Sequence, residues 1–165
     1  MTSTLTPSIT IPGLIFRSIA DADLPFLQTL YASTRQEEMA QTAWNSEQIT
    51  DFLALQFRAQ HAHYQKHYPK ARFDLILMGK QAIGRLYLDN WPDEYRLIDL
   101  AFLPEYRNRG FGTQLLREIL AQATRQNKAV RLHVEHFNPA LKLYQRLGFR
   151  QLEDKGVYSF MEWRA

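Results

Sequence analysis

The apolar residues in the first third of the chain recur every three to four positions, which is the period of a helix packed on one side. After a short strand over residues 14–17, this spacing predicts a helix over 22–34, with Asp21 as its N-cap. A second helix is predicted over residues 36–41 and a long third helix over 49–64. Ser46, ahead of this long helix, lacks a full capping box because Ile49 stands where Glu or Gln is expected.

Beyond residue 72 the apolar residues alternate with a period of two, which is typical of β-strands. Two strands are predicted over residues 73–78 and 82–89, and Gly79 with Lys80 forms the hairpin turn between them. The remaining predicted elements are a strand over 96–103 stopped by Pro104, a helix after Gly110, a strand over 130–134, a helix from Pro139 to Gly148, and strands over 149–152 and 157–163.

This order of elements predicts one α+β domain, a mixed α/β arrangement with a central, mostly antiparallel sheet flanked by helices. The 165 residues are enough for a single hydrophobic core. Residues 1–13 are rich in Thr, Ser and Pro, so we expect a loose leader ahead of a single domain over residues 14–165.

Composition narrows the class of protein. Hydrophobic residues make up 45% of the chain and charged residues 22%, and no apolar run approaches the roughly 18 residues of a membrane span. The first ten residues do not resemble a secretory signal, so we expect a cytoplasmic protein with no membrane partner. The chain has no cysteine, which excludes thiol nucleophiles and zinc sites that contain cysteine.

Charge is distributed unevenly around a modest net charge of +3. Residues 21–51 contain six acidic residues and one basic residue, whereas residues 104–150 contain nine basic and three acidic residues. The second segment therefore suits a polyanionic ligand, although solvated helix surfaces carry such charges as well.

The segment from Arg107 to Thr113 lies between a predicted strand and a predicted helix. Gly110 and Gly112 let the backbone curl with its N–H groups facing inward, and the helix adds its positive N-terminal dipole. Such a loop binds phosphate oxygens. It is not a dinucleotide-binding fingerprint, because Leu115 stands where the third glycine is required. It is not a P-loop either, and an ordinary glycine-rich turn with solvated arginines remains the alternative.

Two motifs together resemble the GNAT superfamily of acyl-CoA-dependent N-acetyltransferases. Residues 98–112, IDLAFLPEYRNRGFG, are similar to the strand and the Arg/Gln-x-x-Gly-x-Gly loop of that superfamily. Residues 138–149, NPALKLYQRLGF, are similar to its second motif, with an Asn, a Leu-Tyr pair and a closing Gly-Phe. The resemblance covers roughly residues 14–163 and implies a GNAT fold with a splayed cleft for CoA.

The resemblance also implies a set of residues that bind acetyl-CoA, the co-substrate. The loop backbone would hold the CoA pyrophosphate, the preceding strand would pair with the pantetheine arm, Asn138 would lie near that arm, and the N–H of Leu100 would polarise the thioester carbonyl. The residues implied are Leu100, Ala101, Phe102, Arg107, Asn108, Arg109, Gly110, Phe111, Gly112, Thr113 and Asn138.

For the chemistry, the resemblance implies that Tyr144 protonates the leaving thiolate, with a purely structural core tyrosine as the alternative. His133 occupies the position of a Glu that serves as base in several branches, and a histidine suits that task. Asp99 and Glu135 are further candidates for the base. Because there is no cysteine, acetyl transfer is expected to be direct, in a ternary complex.

The acceptor is expected to be a primary amine of a small molecule or a peptide. It would enter between the first helices and the last strand pair, where Glu37, Glu38, Glu153 and Asp154 would attract a cation such as a polyamine. No metal is expected, because a solvated helix end explains the histidines around residue 63. A silent acyl-CoA sensor and a basic nucleic-acid-binding module remain alternatives, and a homodimer is a family-level expectation.

Overall fold

The computed structural model of the chain describes residues 9–165. Its elements are β1 (Ile15–Ser18), α1 (Leu24–Thr34), α2 (Gln36–Ala40), α3 (Ser46–His67), β2 (Arg72–Met78), β3 (Gln81–Asn90), β4 (Glu94–Phe102), α4 (Phe111–Gln126), β5 (Ala129–Glu135), α5 (Ala140–Arg146), β6 (Arg150–Asp154) and β7 (Tyr158–Trp163). Short 3-10 turns over Asp21–Asp23 and Pro104–Tyr106 precede α1 and α4.

The seven strands form one sheet in the order β1-β2-β3-β4-β5-β7-β6. Every neighbouring pair is antiparallel except β4 and β5, which are parallel. The prediction of a mixed α/β domain with a mostly antiparallel sheet is therefore confirmed. β7 lies between β5 and β6, an arrangement that strand patterns alone do not reveal.

Helices cover both faces of the sheet. The main apolar cluster joins the sheet to α4, whose buried face comprises Leu115, Leu116, Ile119, Leu120 and Ala123. A second cluster lies beneath α1 to α3 and comprises Leu27, Tyr31, Met39, Leu53, Phe57 and Leu75. Val130, Leu132 and Val134 of β5 face the main cluster. Because side chains alternate along a strand, Arg131, His133 and Glu135 point to the face of α1 to α3.

Two helix starts differ from the predicted ones. The cap of α3 is Asn45 instead of Ser46: its side chain accepts from the Gln48 N–H at 2.8 Å, and Gln48 Oε1 accepts from the Asn45 N–H at 2.9 Å. This is a complete capping box, shifted by one residue from the predicted cap. Asp21 opens a 3-10 turn instead of capping α1, and the Asp23 carboxylate accepts the Ala20 N–H at 2.8 Å.

The predicted leader is described only from Ile9 onward, and residues 1–8 lie outside the described residues. Ile11 is buried in the main cluster, and Ile9 packs against it. The apolar core of this protein thus already includes residues that precede β1.

Candidate active site

β4 and β5 diverge partway along their length. Their parallel pairing runs from Glu94 with Ala129 to Leu97 with Leu132 and ends there. Beyond that point β4 pairs only with β3, and β5 pairs only with β7. A β-bulge coincides with the divergence, because Tyr87 and Leu88 of β3 pair with Asp99 and Leu97 and leave Ile98 as an extra residue.

The divergence leaves one edge of residues 98–102 open toward β5. The predicted CoA-pairing residues Leu100, Ala101 and Phe102 lie on this edge, with the first two half-buried and Phe102 buried. A strand edge that lacks a neighbour presents backbone N–H and C=O groups to any extended chain that contains amides.

The loop of Arg107 to Thr113 leads from β4 into α4. Asn108 (φ 59°) and Gly110 (φ 84°) adopt left-handed backbone conformations, and Gly110 occupies the N-cap position of α4. No side chain of residues 9–165 caps this helix end, and its first turn contains no acidic residue. The first intrahelical bond joins the Gln114 N–H to the Gly110 carbonyl at 3.0 Å. The amide N–H groups of residues 111–113 are therefore left for a ligand or solvent.

Gly112 is half-buried in the first turn of α4. A Cβ added there would be 3.8 Å from Leu143 Cδ2 and 3.9 Å from Phe102 Cε2, which are ordinary van der Waals contacts. Packing within the protein therefore does not require a glycine at this position.

The two loop arginines have intramolecular partners. Arg107 donates from Nε to the Phe102 carbonyl at 2.8 Å and from Nη2 to Ser33 Oγ at 3.1 Å. The Arg109 guanidinium lies over the Tyr106 ring, 5.1 Å from its centroid. Arg107 thus ties the loop to β4 and α1, a role that the sequence does not indicate.

Tyr144 lies on α5, buried in the main apolar cluster, and its ring is 5.4 Å from that of Phe149. Burial raises the pKa of the Tyr144 phenol, and the charge of Asp99 raises it further. The hydroxyl of Tyr144 consequently stays protonated at neutral pH.

Asn138 lies just ahead of α5, and its Oδ1 accepts the Ala140 N–H at 2.9 Å.

His133 lies on the opposite face, in a cavity of about 410 Å³ between α3 and the diverging strands. Its ring stacks on Phe160 with centroids 4.6 Å apart. Burial lowers the pKa of His133, and the charge of Arg96 lowers it further. The other residues that line the cavity are Gln60, His63, Tyr64, Tyr68, Arg96, Leu97, Ile98 and Tyr158.

Asp99 takes part in a buried polar network that sequence inspection misses. It forms an ion pair with Arg85, a β3 residue only 3% exposed. Arg85 also donates to Gln60 Oε1 of α3 at 2.9 Å and lies over the Tyr87 ring at 4.7 Å. The Asp99 side chain thus lies on the face of the sheet that α3 covers, and its cationic partner comes from the neighbouring strand β3.

Carboxylates surround the expected acceptor entrance, and most of them are paired within the chain. Glu38 forms an ion pair with Arg35 at 2.6 Å, Asp154 pairs with His136 at 3.0 Å, and Glu153 lies 3.9 Å from Lys155. Glu37 is exposed. The expected attraction for a cation is therefore weakened by charges of the chain itself.

The histidines of α3 stack on each other, with the His63 and His67 rings 3.9 Å apart. In the described range, residues 9–165, no group of three or more His, Asp or Glu side chains is arranged to hold a metal ion. None of the helices in that range has the length and apolar character needed to cross a membrane.

Two curated relatives resemble the chain in sequence. A ribosomal protein bS18-alanine N-acetyltransferase of Haemophilus influenzae is 30% identical over 84 residues, which cover 50% of this chain and 58% of that protein. N-alpha-acetyltransferase RimI of Mycobacterium tuberculosis is 36% identical over 97 residues, which cover 58% of this chain and 60% of that protein. The matches thus span less than two thirds of either relative.

Solved structures agree with the fold. PaiA N-acetyltransferase from Thermoplasma acidophilum, crystallised in complex with coenzyme A, superimposes with a TM-score of 0.69 at 19% identity. The match covers 92% of this chain and 99% of that one, which establishes the similarity of fold. Residues 31–149 match the Acetyltransferase (GNAT) family, more than half of the sequence. The resemblance noted in the two motifs is therefore confirmed, and the chain belongs to the acetyltransferase (GNAT) family.

Proposed function

We propose that the protein is an N-acetyltransferase that moves the acetyl group of acetyl-CoA directly to a primary amine in a ternary complex. The proposal is carried by one observation in a chain of this family: two features that can bind parts of CoA lie next to each other. The open edge of β4 leads to the uncapped N-terminus of α4, so one ligand with amides and a pyrophosphate satisfies both.

The pyrophosphate is assigned to the backbone N–H groups of the loop from Arg107 to Thr113. Gly112 supports this assignment, because protein packing gives no reason for a glycine there and close approach of a phosphate does. Arg107 shapes the loop by fixing it to β4, and Arg109, exposed beside Tyr106, adds positive charge at its rim.

The pantetheine arm is assigned to the open edge at Leu100, Ala101 and Phe102, with Asn138 across the cleft. An N–H of this edge, that of Leu100, is proposed to polarise the thioester carbonyl and to stabilise the oxyanion that develops on it. The cleft holds the two reactants together, which supplies a large part of the rate in a direct transfer.

Tyr144 is proposed to protonate the thiolate of CoA as the tetrahedral intermediate collapses. The phenol is protonated at neutral pH, so it carries the proton that it must donate. Its position in the second GNAT-like motif, ahead of Gly148 and Phe149, supports this role.

The acceptor must lose a proton before its nitrogen can attack. For a lysine-like amine of pKa about 10.4, the free amine at pH 7 costs about 4–5 kcal/mol, whereas an α-amine of pKa about 8 costs roughly 1.4 kcal/mol. The paired entrance carboxylates offer little to a polyamine, and both curated relatives are named for α-amine acetylation. We therefore propose a peptide α-amine as the preferred acceptor.

Calorimetric titration with acetyl-CoA, followed by a turnover screen over amines and peptides, tests this function. The proposal predicts binding that persists at moderate salt and release of thiol with an N-terminal peptide. Binding without transfer to any amine would indicate an acyl-CoA sensor. Binding of DNA or RNA without acetyl-CoA, lost steeply as salt rises, would indicate a nucleic-acid-binding module.

A further inference from the structure

The face of the sheet beneath α1 to α3 brings carboxylates of both diverging strands to the cleft. Asp99 comes from β4 just after the bulge, and Glu135 ends β5. Because β4 and β5 separate beyond Leu97 and Leu132, these two side chains flank the divergence from opposite sides. Burial raises the pKa of Glu135, and the charge of Asp99 adds a smaller contribution in the same direction.

Glu135 differs from the paired carboxylates around this cleft, because no ion pair or side-chain hydrogen bond reaches it from the described residues. Asp99 pairs with Arg85 and Glu38 with Arg35, and Glu153 and Asp154 each have a cation nearby. Within residues 9–165 the Glu135 carboxylate makes neither an ion pair nor a hydrogen bond, although it is half-buried. A partly exposed carboxylate without an ion-pair partner in the described range is available to a cationic ligand.

Four charged or titratable groups face Glu135 from the elements packed around it. Arg35 and Glu38 approach from the α2 side, Asp99 from β4 and Tyr158 from β7. Burial is the main reason that the pKa of Glu135 is raised, Arg35 opposes the rise, and the two anions add to it. A carboxyl with a raised pKa is better matched to proton transfer from an amine.

Asp99 also interacts with both residues that are proposed to transfer protons. It interacts electrostatically with both Glu135 and Tyr144, the residue proposed to protonate the thiolate. At His133 the cations Arg96 and Lys155 lower the pKa, and Glu153 and Glu94 oppose them. At Glu135 the neighbouring anions Glu38 and Asp99 instead favour a bound cation, so an ammonium group is better placed beside Glu135 than beside Arg96.

We propose that Glu135, with Asp99 across the cleft, binds the ammonium group of the acceptor and that Glu135 takes its proton. This inference rests on the proposed acetyl transfer. The ammonium nitrogen gives one proton to the Glu135 carboxylate, which later releases it to solvent, and the free amine forms the N–C bond to the thioester carbon. When the C–S bond breaks, Tyr144 gives its proton to sulfur and recovers one from the nitrogen. One amide, one thiol and one released proton result.

Asp99 is a positioning residue in this scheme. Arg85 of β3 forms an ion pair with Asp99, and Gln60 of α3 in turn accepts a hydrogen bond from Arg85, so the Asp99 carboxylate is held in place. Asp99, which is paired with Arg85, provides charge that helps to bind the ammonium group. Glu135, which has no ion-pair partner among the described residues, accepts the proton.

The test compares Glu135→Gln with His133→Gln and with Glu47→Gln, a charge-matched control at the exposed start of α3. We expect Glu135→Gln to lower kcat/KM at pH 7 by about 10²- to 10⁴-fold and to remove the acidic limb that Glu135 contributes to the pH profile. Acetyl-CoA binding should stay unchanged. Glu135→Asp should recover part of the rate, which gives a second variant if the glutamine variant folds poorly.

A less basic acceptor separates proton transfer from a structural effect. With a β,β-difluoro analogue of the best amine, the loss caused by Glu135→Gln should shrink, because this amine reaches the site already deprotonated. Wild-type rate and pH profile in both Glu135 variants, with loss of the limb in His133→Gln instead, would overturn the inference and leave acetyl transfer intact. Absence of transfer by the wild type to any amine would overturn both proposals.

Discussion

Gly112 offers a substitution that separates folding from cofactor binding. The residue lies in the first turn of α4, and its backbone does not require a positive φ. An alanine Cβ there meets only Leu143 and Phe102, at 3.8 and 3.9 Å. Replacing glycine by alanine within a helix gains up to about 1 kcal/mol, so Gly112→Ala should leave the free energy of unfolding unchanged or raise it. The melting temperature should then rise by about 0–4 °C.

Acetyl-CoA affinity should change in the opposite direction. The new methyl group occupies the space through which a pyrophosphate approaches the N–H groups of residues 111–113. Hydrogen bonds to a charged group contribute about 1.5–3 kcal/mol each, so loss of one weakens binding by roughly 10- to 150-fold.

Thermal unfolding and isothermal titration calorimetry on the same preparation measure the two effects. We expect Gly112→Ala to keep the stability of the wild type while its affinity for acetyl-CoA falls. Equal acetyl-CoA affinity in Gly112→Ala and wild type would refute the assignment of the pyrophosphate to this loop. A large loss of stability would refute the claim that the protein itself does not need glycine at this position.

Three further changes test other parts of the account. Gly84→Ala should destabilise the protein by about 1–3 kcal/mol in chemical denaturation, because its Cβ would overlap the backbone oxygen of Ala101 and lie 3.0 Å from Phe102 Cδ1; an unchanged midpoint would contradict this. Tyr144→Phe should lower kcat by about 10- to 1000-fold with acetyl-CoA affinity kept, and an unchanged kcat under rate-limiting chemistry would remove Tyr144 from its role. Burial lowers the pKa of His61, so the folded state favours its neutral form and stability should fall as pH drops below about 6.5. His61→Gln should reduce that fall in pH-dependent unfolding, and an identical pH dependence would argue against it.

Local patterns predicted most of the fold. The apolar face of α4 follows the helical period closely, and Gly79 marks the hairpin between β2 and β3, where its φ is +61°. The start of α3 was missed because two overlapping candidates, Asn45 with Gln48 and Ser46 with Ile49, differ by one residue. A capping box needs two bonds, each from a backbone N–H to the side chain of the other residue. Only Asn45 and Gln48 complete both bonds.

The site was harder to predict because its polar contacts join residues that are distant in sequence. The motif around Gly110 and Gly112 indicated the loop, but the hydrogen bond from Arg107 to Ser33 spans two helices and three strands of the chain. The ion pair of Arg85 with Asp99 depends on the register between β3 and β4, which includes a bulge. The absence of a partner for Glu135 among the described residues likewise becomes visible only when the neighbouring charges are in place.

Single-turnover mass spectrometry distinguishes direct acetyl transfer from transfer through an acetylated enzyme. The protein is mixed with one equivalent of acetyl-CoA and an excess of the accepted peptide, and free thiol, acetylated peptide and intact protein are measured over time. The account predicts one acetylated α-amine for every thiol released and no mass increase of 42 Da on the protein, as expected of acetyl transfer without a covalent enzyme intermediate. An acetylated protein that forms and decays on the path to product would contradict direct transfer, and thiol release without an acetylated amine would contradict the proposed activity.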